Sequence, residues 1–459
     1  IDYDGPADTP VQWLKFQGLT FMHSDRRPFH GLSGWGVQHD WEMFDRPTAM
    51  VRLRGAENCT IERCRFTAGG HTAIRLDLHA QNNRIEGNVI ENIGGAGVLL
   101  AGYGPGTKDV NRNNEVINNH IHHTGQLLWQ TPAVFLWQSG HNRIAHNLIH
   151  HTPYTAIVVS TRANYDPEGK RECSRTFRMD EIGQRYAGNW WNREPFRHCR
   201  HNVVEGNDIH NVMQKLGDGN CIYVSGTGGG NMIRSNYLHD CISPTMGEVI
   251  RCDDDQLETR IKNNLIVNNG GEGSGICLKG SNDVVNNVVA LPFLRIVDRG
   301  MISLQVGKMD NALMERNVLY ATSPGHPAYM QRRLYSYGGH PRLRDCRADF
   351  NLYYNTADPV WGRRHLKRER KFGVEKNSKS ADPLFKDPSR RDFRFQPESP
   401  AHELGIISLH PDMAGLKEPY RSELLQPELV TRISPLGCMI EEPLEVEITS
   451  SHPEADIRY

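Results

Sequence analysis

The sequence predicts an all-β chain wound as a right-handed parallel β-helix, a solenoid of stacked coils. Three observations point there. An aliphatic-x-x-Asn phrase recurs, with one exception, at intervals of 23–31 residues. A second aliphatic residue follows two positions after each Asn. The composition is poor in apolar mass (38%) but holds 43 Gly, as suits coils that each bury only a thin strip against their neighbours.

The phrase reads Ile85-Glu-Gly-Asn88, Val116-Ile-Asn-Asn119, Ile144-Ala-His-Asn147 and Val204-Glu-Gly-Asn207. It continues as Ile233-Arg-Ser-Asn236, Ile261-Lys-Asn-Asn264, Val284-Val-Asn-Asn287 and Met314-Glu-Arg-Asn317, with Cys64 in the Asn place of an earlier copy. Such an interval fits a coil of three short strands and three turns. Stacking places each Asn about 4.8 Å from the next, so that each amide donates to its neighbour's carbonyl. Ile90, Ile121, Ile149, Ile209, Leu238, Ile266, Val289 and Leu319 follow at the inward strand positions.

Residues 1–380 are read as the β-helix. Asn147 and Asn207 stand 60 residues apart, about two coils, so 161–199 is a long loop insertion, with Tyr165, Tyr186, Trp190, Trp191 and Phe196 suiting it to wall a cleft. The basic run from Arg363 to Lys371 is expected to be a solvated surface loop. Residues 381–440 form a closing segment. Residues 441–459, from Leu444-Glu-Val-Glu-Ile-Thr-Ser450 to Ala455-Asp-Ile-Arg-Tyr459, read as the truncated start of a chitobiase-type β-sandwich.

With 53 Lys+Arg against 54 Asp+Glu there is no basic field for nucleic acid, and no run approaches the ~18 apolar residues of a membrane span. Ten cysteines without a C-x-x-C pair lack zinc-site spacing; their even number permits disulfides, and buried free thiols are the plainer reading. The start at Ile1-Asp2-Tyr3 carries no export signal, so a secreted or periplasmic protein would have it outside this sequence.

Candidate chemistry falls on two adjacent coils. Asp218 precedes the strand of Ile222, and Asp253-Asp254-Asp255 ends the strand of Ile250. Both aliphatics stand eleven residues before the next ladder phrase, so the two strands lie side by side. Clustered like charges raise one another's pKa, a cost that paired acid–base work would justify. The plain alternative is a solvated turn capped by Asp255.

A second column, three residues after each ladder Asn, holds Glu91, His122, His150, His210 and His239, with His123, His151 and Asp240 next in line. His122, His151, His210 and His239 are candidate sugar-binding groups, as are Arg251 and the aromatics Trp129, Trp137 and Tyr154. Strand-end hydrogen bonding is the plainer role for the histidines. A metal wants three ligands converging on one point, which a column along a solenoid does not obviously give, so no metal or cofactor is expected.

The stretches Arg54-Gly-Ala-Glu-Asn58, His151-Thr-Pro-Tyr-Thr-Ala156, Gly217-Asp-Gly-Asn-Cys-Ile-Tyr223 and Asp253-Asp254 resemble β-helix carbohydrate enzymes, nearest to glycoside hydrolase family 141, which includes α-L-fucosidases and xylanases. The resemblance spans residues 14 to 355. It implies a catalytic aspartate pair on neighbouring coils, matching Asp218 and Asp253. The sequence departs from it in Arg251-Cys252 and in having three consecutive Asp.

The leading expectation is therefore a glycoside hydrolase cleaving a plant or algal polysaccharide or oligosaccharide with Asp218 and Asp253 or Asp254. A Ca²⁺-dependent polysaccharide lyase would instead use the aspartate cluster for the ion and Arg251 or Lys279 near the proton. A non-catalytic carbohydrate-binding solenoid or adhesin is the third reading.

Overall fold

The structure, a computed structural model, describes residues 2–4, 9–26, 48–162, 168, 178–186, 189–245, 247–254, 256–267, 273–291, 300–307, 309–331, 340–425, 431–434 and 447–450. The chain winds as a right-handed parallel β-helix with three parallel sheets, each strand pairing with its counterparts in the coils before and after. One coil shows the plan. Val203–Glu205 lies in sheet 2, Asp208–His210 in sheet 3 and Ile222–Ser225 in sheet 1, and Met232–Arg234 returns to sheet 2 one level on.

The ladder of the repeated phrase runs inside the turn between sheets 2 and 3. Asn207 shows one rung: its Oδ1 accepts from the Asn147 backbone N–H (3.0 Å) and Nδ2 (2.9 Å). Its own Nδ2 donates to the Ile144 carbonyl (2.9 Å) and to Asn236 Oδ1 (3.0 Å). Every partner is buried, so the amide supplies hydrogen bonds that water cannot reach. The residue before each ladder Asn is left-handed, as at Gly87, Asn118, His146, Gly206, Ser235, Asn263, Asn286 and Arg316. That explains why no β-branched side chain stands there.

A second ladder, not anticipated, lines the turn between sheets 1 and 2: Asn83, Asn114, Asn142, Asn202 and Asn231, each five residues before its partner in the first. Cys59 and Cys64 begin both ladders. Their backbone N–H groups donate to Asn83 Oδ1 (3.0 Å) and Asn88 Oδ1 (2.9 Å), so no amide is required below them. The first ladder reaches Asn351, whose Nδ2 meets Glu375 Oε1 (3.1 Å). Burial raises that carboxyl to about 7. The eight cysteines among the described residues are buried as free thiols.

Inward residues form one continuous core of Ile, Val and Leu from Val51 to Leu366. Outward positions on sheet 3 change character along the axis, from histidines to Leu265, Val267, Val288, Ala290 and Val318. These are covered by Phe385, Phe393, Phe395, Leu404 and Ile406 of the closing segment. The basic run is not a loop. Trp361–Glu369 is an α-helix with Trp361, His365, Leu366 and Glu369 buried, a spacing that follows the helical period. The charges obscured that apolar stripe.

Compact organisation divides the chain at 417/418. The second unit contains the helix Tyr420–Leu424 and the antiparallel pair Thr431–Ser434 with Glu447–Ser450; Leu444 and Ala455–Tyr459 lie outside the described residues. Part of the 161–199 insertion, including Tyr165, also lies outside them. Its described part carries the short helices Met179–Ile182 and Trp190–Arg193.

Replacing Asn207 by Ala takes one interior hydrogen bond from each of four groups, the Asn147 N–H and Nδ2, the Ile144 carbonyl and Asn236 Oδ1. At roughly 1–3 kcal/mol for each unsatisfied group, softened by relaxation, a loss of about 4 kcal/mol is expected in urea unfolding. A loss under about 1 kcal/mol would show that the ladder is ornamental.

Candidate active site

The candidate site lies on the outward face of sheet 1. Ile222–Ser225 pairs with Ile250–Asp253 in the register Ile222↔Ile250, Tyr223↔Arg251 and Ser225↔Asp253, and the next strand is Ile276–Lys279. Alternation turns Ile222, Val224, Ile250 and Cys252 inward and leaves Tyr223, Ser225, Arg251, Asp253, Cys277 and Lys279 outward. Loops from sheet 3 to sheet 1 bring Asp218, Asn220 and Glu248 to one rim. Turns from sheet 1 to sheet 2 bring Arg162 and Asp254 to the other.

Arg251 is the hub. Its Nη1 lies 3.3 Å from Glu248 Oε2 and 3.7 Å from Asp218 Oδ1, and its Nη2 lies 2.8 Å from Asp253 Oδ2. One guanidinium thus spans the Asp218 and Asp253 carboxylates, which lie within about 9 Å of each other. That range includes both separations used in glycoside hydrolysis. Asp253 also accepts from Lys279 Nζ, from Tyr223 OH (3.2 Å) and from the Asp254 backbone N–H (2.8 Å). Burial alone would raise its carboxyl, but Arg251 and Lys279 outweigh burial and hold it below the ordinary aspartate value. For Lys279 burial pulls downward, and Asp253 outweighs it, keeping the ammonium raised.

Asp218 differs. Its side chain keeps 60% of its exposure. Desolvation by the crowded loop raises its carboxyl; Arg251 opposes that rise, while Asp253 and Glu248 add to it. Its backbone carbonyl accepts a hydrogen bond from Tyr154 OH (2.7 Å), which pins the loop. Two carboxyls linked through one guanidinium are therefore driven in opposite directions by their surroundings, the arrangement an acid and an ionised partner require. Asp254 turns to Arg162 Nε (3.1 Å) and Ser225 Oγ (3.3 Å), and Asp255 lies outside the described residues.

Other expected residues are placed differently. Arg251 is buried and engaged with three carboxylates, so it orients acids rather than gripping ligand directly. Tyr154 is fully buried and acts through Asp218. Trp137 is only 1% exposed and packs with Leu99, Phe135, Val158 and Tyr223, so it offers no sugar platform. Trp129, half exposed with Lys215 Nζ 4.6 Å from its ring, stands in the same series of turns as Asp218.

His122, His210 and His239 lie on sheet 3, with His151 in the turn that follows it. The aspartates stand on and beside sheet 1, so the structure does not bring the two sets together. His122, His150, His210 and His239 stack ring on ring at 4.8–4.9 Å. Burial, then neighbouring imidazoles, lowers His122 to about 3. His123 and His151 occupy left-handed turn positions.

Sequence reasoning missed Glu248, wholly buried, with Asn220 Nδ2 donating to its carbonyl (2.8 Å) and Gln305 Nε2 3.5 Å from Oε1. It treated Lys279 only as a lyase base. The register carries the signal for Lys279, since the outward column Ser160, Ser225, Asp253 leads to it one coil on.

Residues 44–171 match the family described as right handed beta helix region. No curated protein matches the chain. Among solved structures, a glycoside hydrolase is similar at 15% identity and a TM-score of 0.41, covering 91% of this chain and 53% of its own; the chain spans about half its length. The tailspike protein of E. coli bacteriophage HK620, in complex with a pentasaccharide, is similar at 8% identity and a TM-score of 0.41, covering 82% of this chain and 72% of its own. Likeness at this level transfers no activity.

Replacing Lys279 by Met leaves Asp253 half paired in a buried setting and is expected to cost about 3 kcal/mol at pH 7. Asp253 is depressed, so its contribution exists above the ordinary aspartate pKa and fades as pH falls through the lowered one. Lys279 is raised, so its contribution holds below the ordinary lysine value and fades only as pH rises through the raised one. The gap between wild type and variant in urea unfolding should be flat from about pH 5 to 9 and narrow in acid. A gap that widens on acidification contradicts this pairing.

Proposed function

We propose that the chain is a glycoside hydrolase acting on a plant or algal polysaccharide or oligosaccharide at the outward face of sheet 1. The supporting observation is the opposed pair: exposed Asp218 with a raised carboxyl, and Asp253 held ionised between Arg251 and Lys279. In this reading Asp218 protonates the leaving oxygen, and Asp253 acts from the other side as base or nucleophile. Asp253 is preferred to Asp254 because Arg251 links it directly to Asp218, whereas Asp254 is tied to Arg162 and Ser225. Arg251, Lys279 and Tyr223 keep Asp253 ionised and oriented, Tyr154 and Glu248 steady the hub, and Trp129 offers a rim platform for a sugar face.

The lyase reading has less support. Calcium at the aspartate cluster would have to displace Lys279 and Arg251 from Asp253. Lys279, kept charged by that carboxylate, is a poor base for the proton beside a uronate. A purely binding solenoid leaves the opposed carboxyls without a use. Secretion or periplasmic residence suits the proposed substrate.

Asp218→Asn should lower turnover by at least ~10²-fold on the responsive substrate of a glycan panel, with an unchanged circular-dichroism spectrum. Asp253→Asn should do likewise, whereas Asp254→Asn keeps most of the activity. Full turnover by Asp218→Asn overturns the assignment; loss in Asp254→Asn with retention in Asp253→Asn reassigns the second carboxylate.

A further inference from the structure

At the lower end of the histidine column, Asp208 and His210 project from the same face of strand Asp208–His210, two residues apart. His239 projects from the neighbouring strand in register with His210. One carboxylate oxygen and one imidazole nitrogen from each histidine lie within 4.8 Å of one another. The hydrogen bonds around them fix where the ring protons sit. His210 Nδ1 is 2.8 Å from Asn211 Oδ1, an acceptor, so a neutral ring carries its proton on Nδ1 and leaves the Nε2 lone pair bare.

His239 Nδ1 is 2.7 Å from Asp240 Oδ2 and 3.0 Å from Arg391 Nη1, while Arg391 already grips Asp240 through both nitrogens (2.6 and 2.9 Å). The shorter, charge-assisted contact to Asp240 takes the proton onto Nδ1. Nε2 of a neutral ring is then bare too, yet it faces Asp208 Oδ1 at 3.1 Å. Two electron-rich atoms at that distance need a cation between them, either a second ring proton or a metal ion.

We infer that this is a site for a divalent transition metal, with zinc the best match, held by Asp208, His210 Nε2 and His239 Nε2. Two imidazoles and one carboxylate suit zinc and its neighbours rather than calcium or magnesium, which prefer oxygen ligands throughout. The third ligand separates this from a simple imidazolium–carboxylate pair, because a ring nitrogen of His210 lies within 4.8 Å of both other ligand atoms. Asp240 takes the outer role of a carboxylate that orients a metal-bound histidine. The rings of His210 and His239 stack at 4.8 Å and 20°, so coordination turns the His210 imidazole about χ2, giving up its bond to Asn211, while Asp240 holds His239 in place. Because Asp240 is also the anchor of Arg391, at the start of the closing strand Asp392–Phe395, the metal ties that segment to sheet 3.

The test is calorimetric titration of the chelator-treated full chain with Zn²⁺ alone, paired with the visible spectrum of the Co²⁺ form. One equivalent is expected to bind with a four-coordinate Co²⁺ spectrum. Asp208→Asn and His210→Gln should each weaken binding at least ~10-fold, and Asp240→Asn by ~10–100-fold. Circular dichroism of the metal-free variants verifies folding. His122→Gln with His150→Gln, higher in the same column, should leave the binding unchanged. No uptake, a six-coordinate Co²⁺ spectrum, or equal loss in the His122/His150 variant overturns the site.

Discussion

A buried ladder asparagine such as Asn207 joins its coil to the coils before and after it through four hydrogen bonds, and the rest of the molecule inherits its register from that contact. Amides stacked at strand spacing cannot slip by one residue without stranding donors and acceptors in a dry turn, where each costs on the order of 1–3 kcal/mol. Slippage would also turn every inward aliphatic to solvent. The ladder therefore sets both which residues are buried and which stand beside each other outside. A thin apolar strip per coil suffices because the polar turns are satisfied internally.

The charged face of sheet 1 is a direct product of that register. Tyr223, Arg251 and Cys277 form one outward column, and Ser225, Asp253 and Lys279 the next. A buried guanidinium among three carboxylates is expensive unless each charge is paired, and Arg251 and Lys279 with Asp253 achieve that pairing. Asp218, carried on a loop rather than a strand, escapes full pairing. This division between a strand-fixed, ionised carboxylate and a loop-borne carboxyl of raised pKa gives the proposed hydrolysis its acid and its counterpart.

Much of the architecture was legible in the sequence because the ladder phrase is local: four residues carry both the aliphatic and the amide. The strand pairing that puts Asp218 and Asp253 on adjacent coils followed from counting. What was not legible depends on contacts between distant segments. Trp137 reads like an exposed platform and is buried under other aromatics. The histidines read like sugar-binding groups and stand on a different sheet from the aspartates, since the three sheets cannot be told apart by their inward residues alone. The helix Trp361–Glu369 was hidden by its charges, although Trp361, His365 and Leu366 already carried a helical period. Glu248 was missed because its role exists only once Arg251 is folded over it.

The proposed hydrolysis adds water across a glycosidic bond. It is tested most directly by digesting a panel of plant and algal glycans in H₂¹⁸O and weighing the products. The account predicts one ¹⁸O in the new reducing end for each bond cleaved and no ultraviolet absorbance from unsaturated sugar. Unsaturated products without ¹⁸O, or binding without cleavage on every glycan of the panel, would contradict it.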